Sequence, residues 1–355
     1  MNELIQHPRL VRWATDDPAE PGRLPLTAPH VRLLCAAIAP GAPLADLGGV
    51  MSLNVCLGPR EPGSLVLRVH QPGGVASRPR LLAQQEVRRR LADRGLRVPV
   101  AVPWRGATVF RCGNRWAELE PYLPNERPAP TIESYVWLYG AMGVLHRALA
   151  AMEVCVPRPI AATFAPPGSL RRWLPVTEAA VHGASEAADI ARLVRDCVRR
   201  LRPRWVPAAE LPVQLVHGDV RLGNVCRTPA GTTGQPGDTK SAPVYLDFGF
   251  LARRPRVHDL AYSLAFMVWA LGHLPAPERF PWESVPRLID AYQAAAGWRL
   301  TPVERRALAP YTAAVPLFYA ALAGFTENPA GKLRTRLPFL RLSEWLLARS
   351  DAPWR

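Results

Sequence analysis

Three polar side chains in the second half of the chain, Asp219, Asn224 and Asp247, have the types and spacing that metal-assisted chemistry requires. They lie in the segments HGDVRLGN (217–224) and DFG (247–249), and each Asp follows a short apolar run that favours a β-strand. A carboxylate at a strand end can accept a hydroxyl proton, and carboxylate and amide oxygens are ligands that Mg²⁺ takes. The pattern predicts phosphoryl transfer to a hydroxyl, although Asp, Asn and Gly are also common in turns.

The order H-G-D-x-x-x-x-N followed by D-F-G resembles the catalytic and metal-binding segments of the protein-kinase-like small-molecule kinases. This superfamily includes the aminoglycoside phosphotransferases, homoserine kinases and choline kinases. The resemblance extends over most of the chain and is weak outside these segments. It implies that Asp219 is the catalytic base and that Asn224 and Asp247 bind Mg²⁺. It also implies that His217 and Asp259 brace the catalytic loop.

The same resemblance implies a nucleotide-binding site in the first third of the chain. In the family, a strand residue binds the α- and β-phosphates and pairs with a helix Glu. Residues 64–70 (SLVLRVH) form a strand-like segment that places Arg68 on the side facing the expected cleft, and the helical segment 81–94 supplies Glu86. Neither of the two lysines lies in this part of the chain, so Arg68 is expected to pair with Glu86. The alternative is an edge-strand Arg and a solvated Glu.

Two further segments are expected to contact the nucleotide. Residues 47–54 (LGGVMSLN) resemble the loop that covers the phosphates, with Ser52 and Asn54 as donors to phosphate oxygens, although a plain β-turn has a similar composition. Residues 118–123 (ELEPYL), which include Glu120, lie where the resemblance places a hinge between two lobes, and their backbone would meet the adenine. The ligands expected from the resemblance are ATP or GTP together with Mg²⁺.

Composition limits the class of acceptor. The chain has 355 residues, 48% of them hydrophobic, and a net charge of +15 from 44 basic and 29 acidic residues. This positive charge favours anionic ligands and argues against a polycationic aminoglycoside, unless Glu118, Glu120, Glu126 and Glu133 form a local acidic patch. A neutral or nucleoside-type antibiotic, an amino alcohol, a hydroxy amino acid and a sugar all stay open as acceptors.

Other partners and compartments receive little support from the sequence. The arginine runs, such as 88–90 and 199–204, come with no recognised nucleic-acid motif and are interpreted as solvated helix faces. Arg221 either touches the transferred phosphate or lies at the surface. The uncharged run 307–326 is long enough to span a bilayer but contains two prolines, so buried helices are expected. The six cysteines have no metal-ligand spacing and the N-terminus has no apolar signal region, which together predict a cytoplasmic protein with reduced thiols.

Taken with the resemblance, these elements predict an α+β, two-lobed protein-kinase-like fold with a small β-rich N-lobe and a larger helical C-lobe. Residues 1–27 are expected to be a lead-in, 28–120 the nucleotide-binding lobe with a strand at 98–102, and 121–355 the lobe of the catalytic loop and acceptor site. The predicted function is transfer of the γ-phosphoryl group of ATP to a hydroxyl of a small molecule. Neither a nucleic-acid nor a membrane partner is expected, and the oligomeric state stays open. The alternative is a non-catalytic, regulatory nucleotide-binding protein (a pseudokinase).

Overall fold

The structure is a computed structural model that describes residues 23–49, 52–71, 77–157, 163–229 and 242–354. Its mixed α/β architecture has a five-stranded sheet in the first part of the chain and mostly helices after it, so the predicted α+β, two-lobed fold is confirmed. The helices in the described ranges are α1 Pro29–Ile38, α2 Arg78–Asp93, α3 Ile132–Ala150, α4 Pro167–Ala180, α5 Ser185–Leu201, α6 Val257–Ala270, α7 Val285–Ala296, α8 Pro302–Ala321 and α9 Pro329–Ala348.

The strands in the described ranges form one antiparallel sheet and two short ribbons. They are β1 Leu44–Asp46, β2 Leu53–Leu57, β3 Leu65–Val69, β4 Phe110–Cys112, β5 Arg115–Pro121, β6 Val213–Val216, β7 Val225–Arg227, β8 Pro243–Tyr245 and β9 Ala252–Pro255. The sheet has the order β1-β2-β3-β5-β4, and the ribbons pair β6 with β9 and β7 with β8. In the sheet register, Arg68 lies on the middle strand between Asn54 of one neighbouring strand and Glu118 of the other.

Alternation along β3 decides which face of the sheet is apolar. Leu67 and Val69 point into the small-lobe core, whereas Arg68 points to the opposite face, as the period of two requires. The core is closed by α1, whose Val31 and Leu34 are buried against the sheet. This helix was not expected, because its ten residues lie within a region of strand-like character. The polar face of the sheet is therefore the one that faces α2 and the cleft.

The helices of the large lobe pack around one extensive apolar core. Helix α3 lies against α7, and α8 lies against both α6 and α9. Gly143 allows the first of these contacts, because a Cβ at this position would lie 2.5 Å from the carbonyl oxygen of Tyr292. The segment Pro302–Phe325 is long and apolar enough to cross a membrane, yet 83% of its most apolar window is buried inside the protein. The prediction of buried helices for 307–326 is confirmed.

Two local expectations fail at prolines. The segment 98–102 forms no strand and makes one isolated bridge, from Val102 to Leu119, because Pro99 and the following Pro103 remove main-chain donors that a ladder would need. The Pro-rich composition of residues 158–169 predicts a linker, but α4 begins within this segment at Pro167, a position where a helix tolerates the missing N–H. The Gly-, Pro- and Thr-rich segment 228–242 is predicted to be a loop, and most of it, like most of the expected lead-in, lies outside the described residues.

Candidate active site

A cavity of about 340 Å³ lies between the polar face of the sheet and the loops that follow β6 and β8. The structure brings most of the sequence-predicted site residues to its wall, and it leaves Glu86 and Glu120 away from it. The predicted residues that line the cavity are Ser52, Asn54, Arg68, Asp219, Asn224 and Asp247.

The loop that follows β6 is held in place by a buried carboxylate. Asp259, in the first turn of α6, accepts hydrogen bonds from the backbone N–H groups of His217 and Gly218, both at 3.0 Å. Burial alone would raise the pKa of Asp259, but His146 at 3.1 Å outweighs it and holds the pKa at about 2. Gly218 has φ +84°, and a Cβ there would lie 2.5 Å from the carbonyl oxygen of Phe250. The loop therefore requires glycine at this position.

Asp219 is buried and has one oxygen that accepts no hydrogen bond among the described residues. Its Oδ2 accepts hydrogen bonds from Asn224 Nδ2 at 2.7 Å and from Arg221 Nη2 at 3.2 Å. Its Oδ1 is buried and lies 3.2 Å from Arg221 Nε, an ion-pair contact without hydrogen-bond geometry. Burial raises the pKa of the carboxyl above its ordinary value, and the Arg221 guanidinium only partly offsets this. Asp219, which lines the cavity, is thus a stronger base than a solvated Asp.

Asp247 is held in a different state by its surroundings. Its backbone adopts the left-handed conformation, with φ 58° and ψ 66°, at the turn after β8. Its carboxylate forms an ion pair with Arg68 of the sheet. Burial would raise the pKa of Asp247, but the Arg68 charge and hydrogen bond outweigh burial and bring it to about 2. Asp247 is therefore fully ionised at neutral pH and available as a hard anionic ligand.

The donor set around the cavity fits a divalent cation such as Mg²⁺. Because Asn224 uses its Nδ2 to bind Asp219, its Oδ1 is left as an acceptor next to the carboxylate of Asp247 in the cavity lining. Within the described ranges no three His, Cys, Asp or Glu side chains cluster as a metal site. Mg²⁺ commonly takes one or two protein ligands and completes its shell with phosphates and waters. The oxygens of Asn224 and Asp247 suit this role.

The expected ion pair between Arg68 and Glu86 is not formed. Glu86 lies on the outer side of α2, where it pairs with Arg89 and Arg90. The hydrogen bond from Arg89, and to a smaller extent that from Arg90, lowers the pKa of Glu86 to about 2. Residues two apart on a helix point in nearly opposite directions, so it is Arg88 that faces the sheet. The interpretation of the 88–90 run as a solvated face is therefore wrong for Arg88.

A buried ion network joins α2 to the sheet. Its cation lies on the helix and its carboxylates on the strand, which is the reverse of the expected strand Arg and helix Glu. Arg88 of the helix pairs with both Glu118 and Glu120 of β5. Glu118 also accepts a hydrogen bond from Gln85 Nε2 at 2.8 Å and lies 3.0 Å from His70 Nε2. Burial opposes ionisation of Glu118, but the Arg88 charge outweighs it and lowers the pKa. The side chain of Glu120 is committed to this network and does not reach the cavity.

The acidic patch considered for a polycationic acceptor does not form at the cavity. Glu118 and Glu120 both pair with Arg88 inside the protein and do not line the cavity. Glu133 forms an exposed ion pair with Arg287. The main chain of the remaining member, Glu126, bridges to that of Arg227.

Comparison with known proteins decides the family. The sequence profile described as "Phosphotransferase enzyme family" matches residues 45–311, about three quarters of the chain. This chain belongs to that family. No curated protein sequence matches the phosphotransferase.

Solved structures share its fold at low sequence identity. A microcompartment-associated aminopropanol kinase is 16% identical, with a TM-score of 0.69 over 92% of this chain and 100% of the other. An amicoumacin kinase is 13% identical, with a TM-score of 0.63 over 92% and 96% of the two chains. An aminoglycoside phosphotransferase from Alicyclobacillus acidocaldarius is 13% identical, with a TM-score of 0.60 over 91% and 96%. These identities support a shared fold and leave the acceptor of this phosphotransferase to its own residues.

The structure adds site-supporting residues in α2 that the sequence analysis missed. Arg80 is fully buried and donates to the carbonyl oxygens of Gly249 and Leu251, both at 2.8 Å. Gln84 donates to the Gly249 carbonyl oxygen at 3.3 Å. Arg80, Gln84 and Arg88 are spaced four apart, so they share one face of the helix. That spacing was the available signal for a polar helix face directed at the turn after β8 and at the sheet.

An aromatic wall of the cavity was also missed. Two tyrosine hydroxyls, those of Tyr262 and Tyr319, lie 2.9 Å apart within it. Trp269 is 40% exposed and lines the cavity. The aromatic residues come from two helices distant in sequence, so only the tertiary structure brings them together. The lining aromatic residues of α6 and α8 are Tyr262, Phe266, Trp269, Phe318 and Tyr319.

Proposed function

We propose that this protein transfers the γ-phosphoryl group of ATP to a hydroxyl of a small molecule with the help of Mg²⁺. One observation supports this most directly. Asp219, Asn224 and Asp247 line a single cavity, and Arg68 faces them from the sheet. Phosphoryl transfer requires a base for the acceptor hydroxyl, oxygen ligands for the metal and a cation at the phosphates, all around one space.

The two sides of the cavity have different tasks in this proposal. Residues 28–120 form the nucleotide-binding lobe, in which Arg68, Ser52 and Asn54 contact the phosphates. Residues 121–355 supply the catalytic loop and the acceptor site. The backbone of β5, around Glu120, meets the adenine edge or its guanine equivalent.

The proposed reaction depends on the two states of the catalytic carboxylates. Oδ1 of Asp219 accepts the proton of the acceptor hydroxyl, whose oxygen attacks the γ-phosphorus as the bond to the β-phosphate oxygen breaks. Arg221, beside Asp219, places a positive charge where the transferred group gains negative charge. Mg²⁺, when bound, neutralises charge on the phosphate oxygens. Asn224 and Asp247 would hold it.

A non-catalytic regulatory role and a different compartment are less well supported. A pseudokinase would be expected to lack at least one of Asp219, Asn224 and Asp247, and all three line the cavity. All six cysteines are free thiols, and Cys155 alone among them is exposed. Free thiols are typical of a reducing compartment, which supports a cytoplasmic location.

A phosphoryl-transfer screen tests the proposal. The full chain is incubated with Mg²⁺ and either ATP or GTP, together with amino alcohols, hydroxy amino acids, sugars and antibiotics. We expect at least one alcohol to gain a phosphate, detected as a mass increase with stoichiometric release of ADP or GDP. Binding of Mg²⁺–nucleotide without transfer to any alcohol would favour the regulatory alternative, and absence of nucleotide binding would refute both.

Arg68→Ala is expected to weaken ATP affinity about 10- to 100-fold, because a charge-assisted contact to phosphate contributes about 1.5–3 kcal/mol. Glu86→Ala is the control, because Glu86 belongs to an exposed ion pair and does not contact Arg68. It should change the ATP affinity less than about twofold. Both affinities are measured by calorimetric titration. Equal losses in the two variants would show that Arg68 and Glu86 act together after all.

A further inference from the structure

The acceptor side of the cavity is walled by aromatic rings. Phe266 and Trp269 of α6 stack at a ring-centroid distance of 5.8 Å and an angle of 13°. Tyr319 of α8 meets Phe266 edge-on at 6.0 Å. Because Trp269 is partly exposed and lies at the cavity rim, its ring offers a flat apolar surface to a molecule that enters.

The charges of the lining residues leave one cation without an anionic partner. The carboxylates in the described lining are those of Asp219 and Asp247, and they are paired with Arg221 and Arg68 respectively. The remaining charged side chain of this lining is Arg336, from α9, which forms no ion pair with any residue that the structure describes. The acceptor side thus carries a net positive charge.

The other titratable groups of the lining do not alter this balance at neutral pH. Burial raises the pKa of Tyr319 to about 12 and that of Tyr262 well above its ordinary value, so both hydroxyls stay neutral. Burial lowers the pKa of His70, which therefore carries no charge. A polycationic acceptor would meet no spare carboxylate among the described lining residues.

Arg336 is positioned as a receptor for an anion. Its guanidinium carbon lies 4.9 Å from the ring centre of Tyr319 and 5.6 Å from that of Trp269. These ring contacts hold the guanidinium without using its in-plane N–H donors. Its Nε is buried and has no hydrogen-bond partner among the described residues. A carboxylate or phosphate is the group that a planar guanidinium binds best.

We propose that the acceptor alcohol is an anion, with a flat apolar portion that lies against the rings of Trp269 and Phe266 and a carboxylate or phosphate that binds Arg336. This inference rests on the proposed function, because the aromatic wall is the acceptor side only if the cavity transfers a phosphoryl group to an alcohol. It excludes polycationic aminoglycosides as the preferred acceptors.

Three small alcohols with the same ring and different charge test this. They are para-(hydroxymethyl)benzoate, benzyl alcohol and para-(aminomethyl)benzyl alcohol, titrated calorimetrically into the full chain with Mg²⁺ and a non-hydrolysable ATP analogue. We expect the benzoate to bind about tenfold more tightly than the neutral alcohol, as a charge-assisted contact predicts, and the amine to bind most weakly. Equal affinities, a preference for the amine, or no measurable benzoate binding at millimolar concentration would overturn the proposal.

Two variants with the same loss of charge locate the preference. Arg336→Gln should abolish the difference between the benzoate and benzyl alcohol without weakening nucleotide binding. Arg334→Gln, two residues away on α9, removes an arginine that pairs with Glu186 at the surface and should keep the difference. A preference that survives Arg336→Gln, or an equal loss of nucleotide affinity, would contradict the assignment. Thermal unfolding of both variants checks that they fold.

Failure of the proposed function gives a different result. If the benzoate preference depends on Arg336 but no alcohol is phosphorylated with ATP or GTP, Arg336 is an anion-binding residue and the proposed reaction fails. If an amine or polycationic alcohol is phosphorylated in preference to every anionic one, the reaction stands and the inference fails.

Discussion

Asp219→Asn is expected to lower turnover by about 10²- to 10⁴-fold, the range that a positioned general base contributes. The amide has almost the same shape as the carboxylate and can still accept from Asn224 and Arg221 through its oxygen. It cannot accept the proton of the acceptor hydroxyl. Because burial already disfavours the charged form of Asp219, removing that charge should leave the free energy of unfolding unchanged or increase it.

Turnover, nucleotide affinity and thermal unfolding are measured on this variant and on a control. Asp93→Asn, at the exposed end of α2, removes the same charge from a surface ion pair and should behave as the wild type in all three measurements. Near-normal turnover of Asp219→Asn would show that another group is the base. A large fall in unfolding temperature would show that Asp219 is a structural residue.

Arg88→Met is expected to destabilise the protein by about 3–5 kcal/mol, the usual cost of leaving a buried charge without its partner. Methionine keeps much of the side-chain volume, but Glu118 and Glu120 then lose the guanidinium they share. Urea unfolding measures the change. Arg89→Met, at the neighbouring exposed position, breaks only surface ion pairs and should cost less than about 1 kcal/mol.

A combined variant shows whether charge is the cause. Adding Glu118→Gln and Glu120→Gln to Arg88→Met removes the uncompensated carboxylates and should restore a large part of the lost stability. If the triple variant is no more stable than Arg88→Met, the loss comes from packing of the arginine side chain. Equal destabilisation by Arg88→Met and Arg89→Met would contradict the burial of Arg88.

The grouping of Asp219, Asn224 and Asp247 around one cavity could be predicted because it depends on local features of the sequence. Asp219 and Asn224 are five residues apart in one loop, and Asp247 follows the next ribbon, so strand ends and spacing are enough to group them. The orientation of Arg68 also followed from the alternation of β3. These conclusions need only the period of a strand and the residue types at its ends.

The partners of α2 could not be predicted in the same way. Glu86 was chosen because it is the only Glu of the helical segment 81–94, but the rotation of the helix relative to the sheet is set by tertiary packing. Leu81, Val87 and Leu91 are buried and turn Arg88 inward, while Glu86 stays outside. The aromatic wall is a stronger case, since Trp269 and Tyr319 are fifty residues apart and meet only because α6 packs on α8. The periodicity of the sequence identifies which side chains share a helix face. Only the tertiary packing determines which other elements that face contacts.

Helix α2 is bound to different parts of the molecule at two points, one near its start and one past its middle. Near its start, Arg80 is bound to the main chain beside Asp247, and two turns later Arg88 is bound to the strand beside Arg68. A helix of 16 residues is rigid over the distance between these two arginines. Separation of the sheet from the turn at Asp247 would break buried charged hydrogen bonds of Arg80 or Arg88, each worth about 1.5–3 kcal/mol. We therefore expect the polar face of α2 to limit how far the cleft between the sheet and that turn can open.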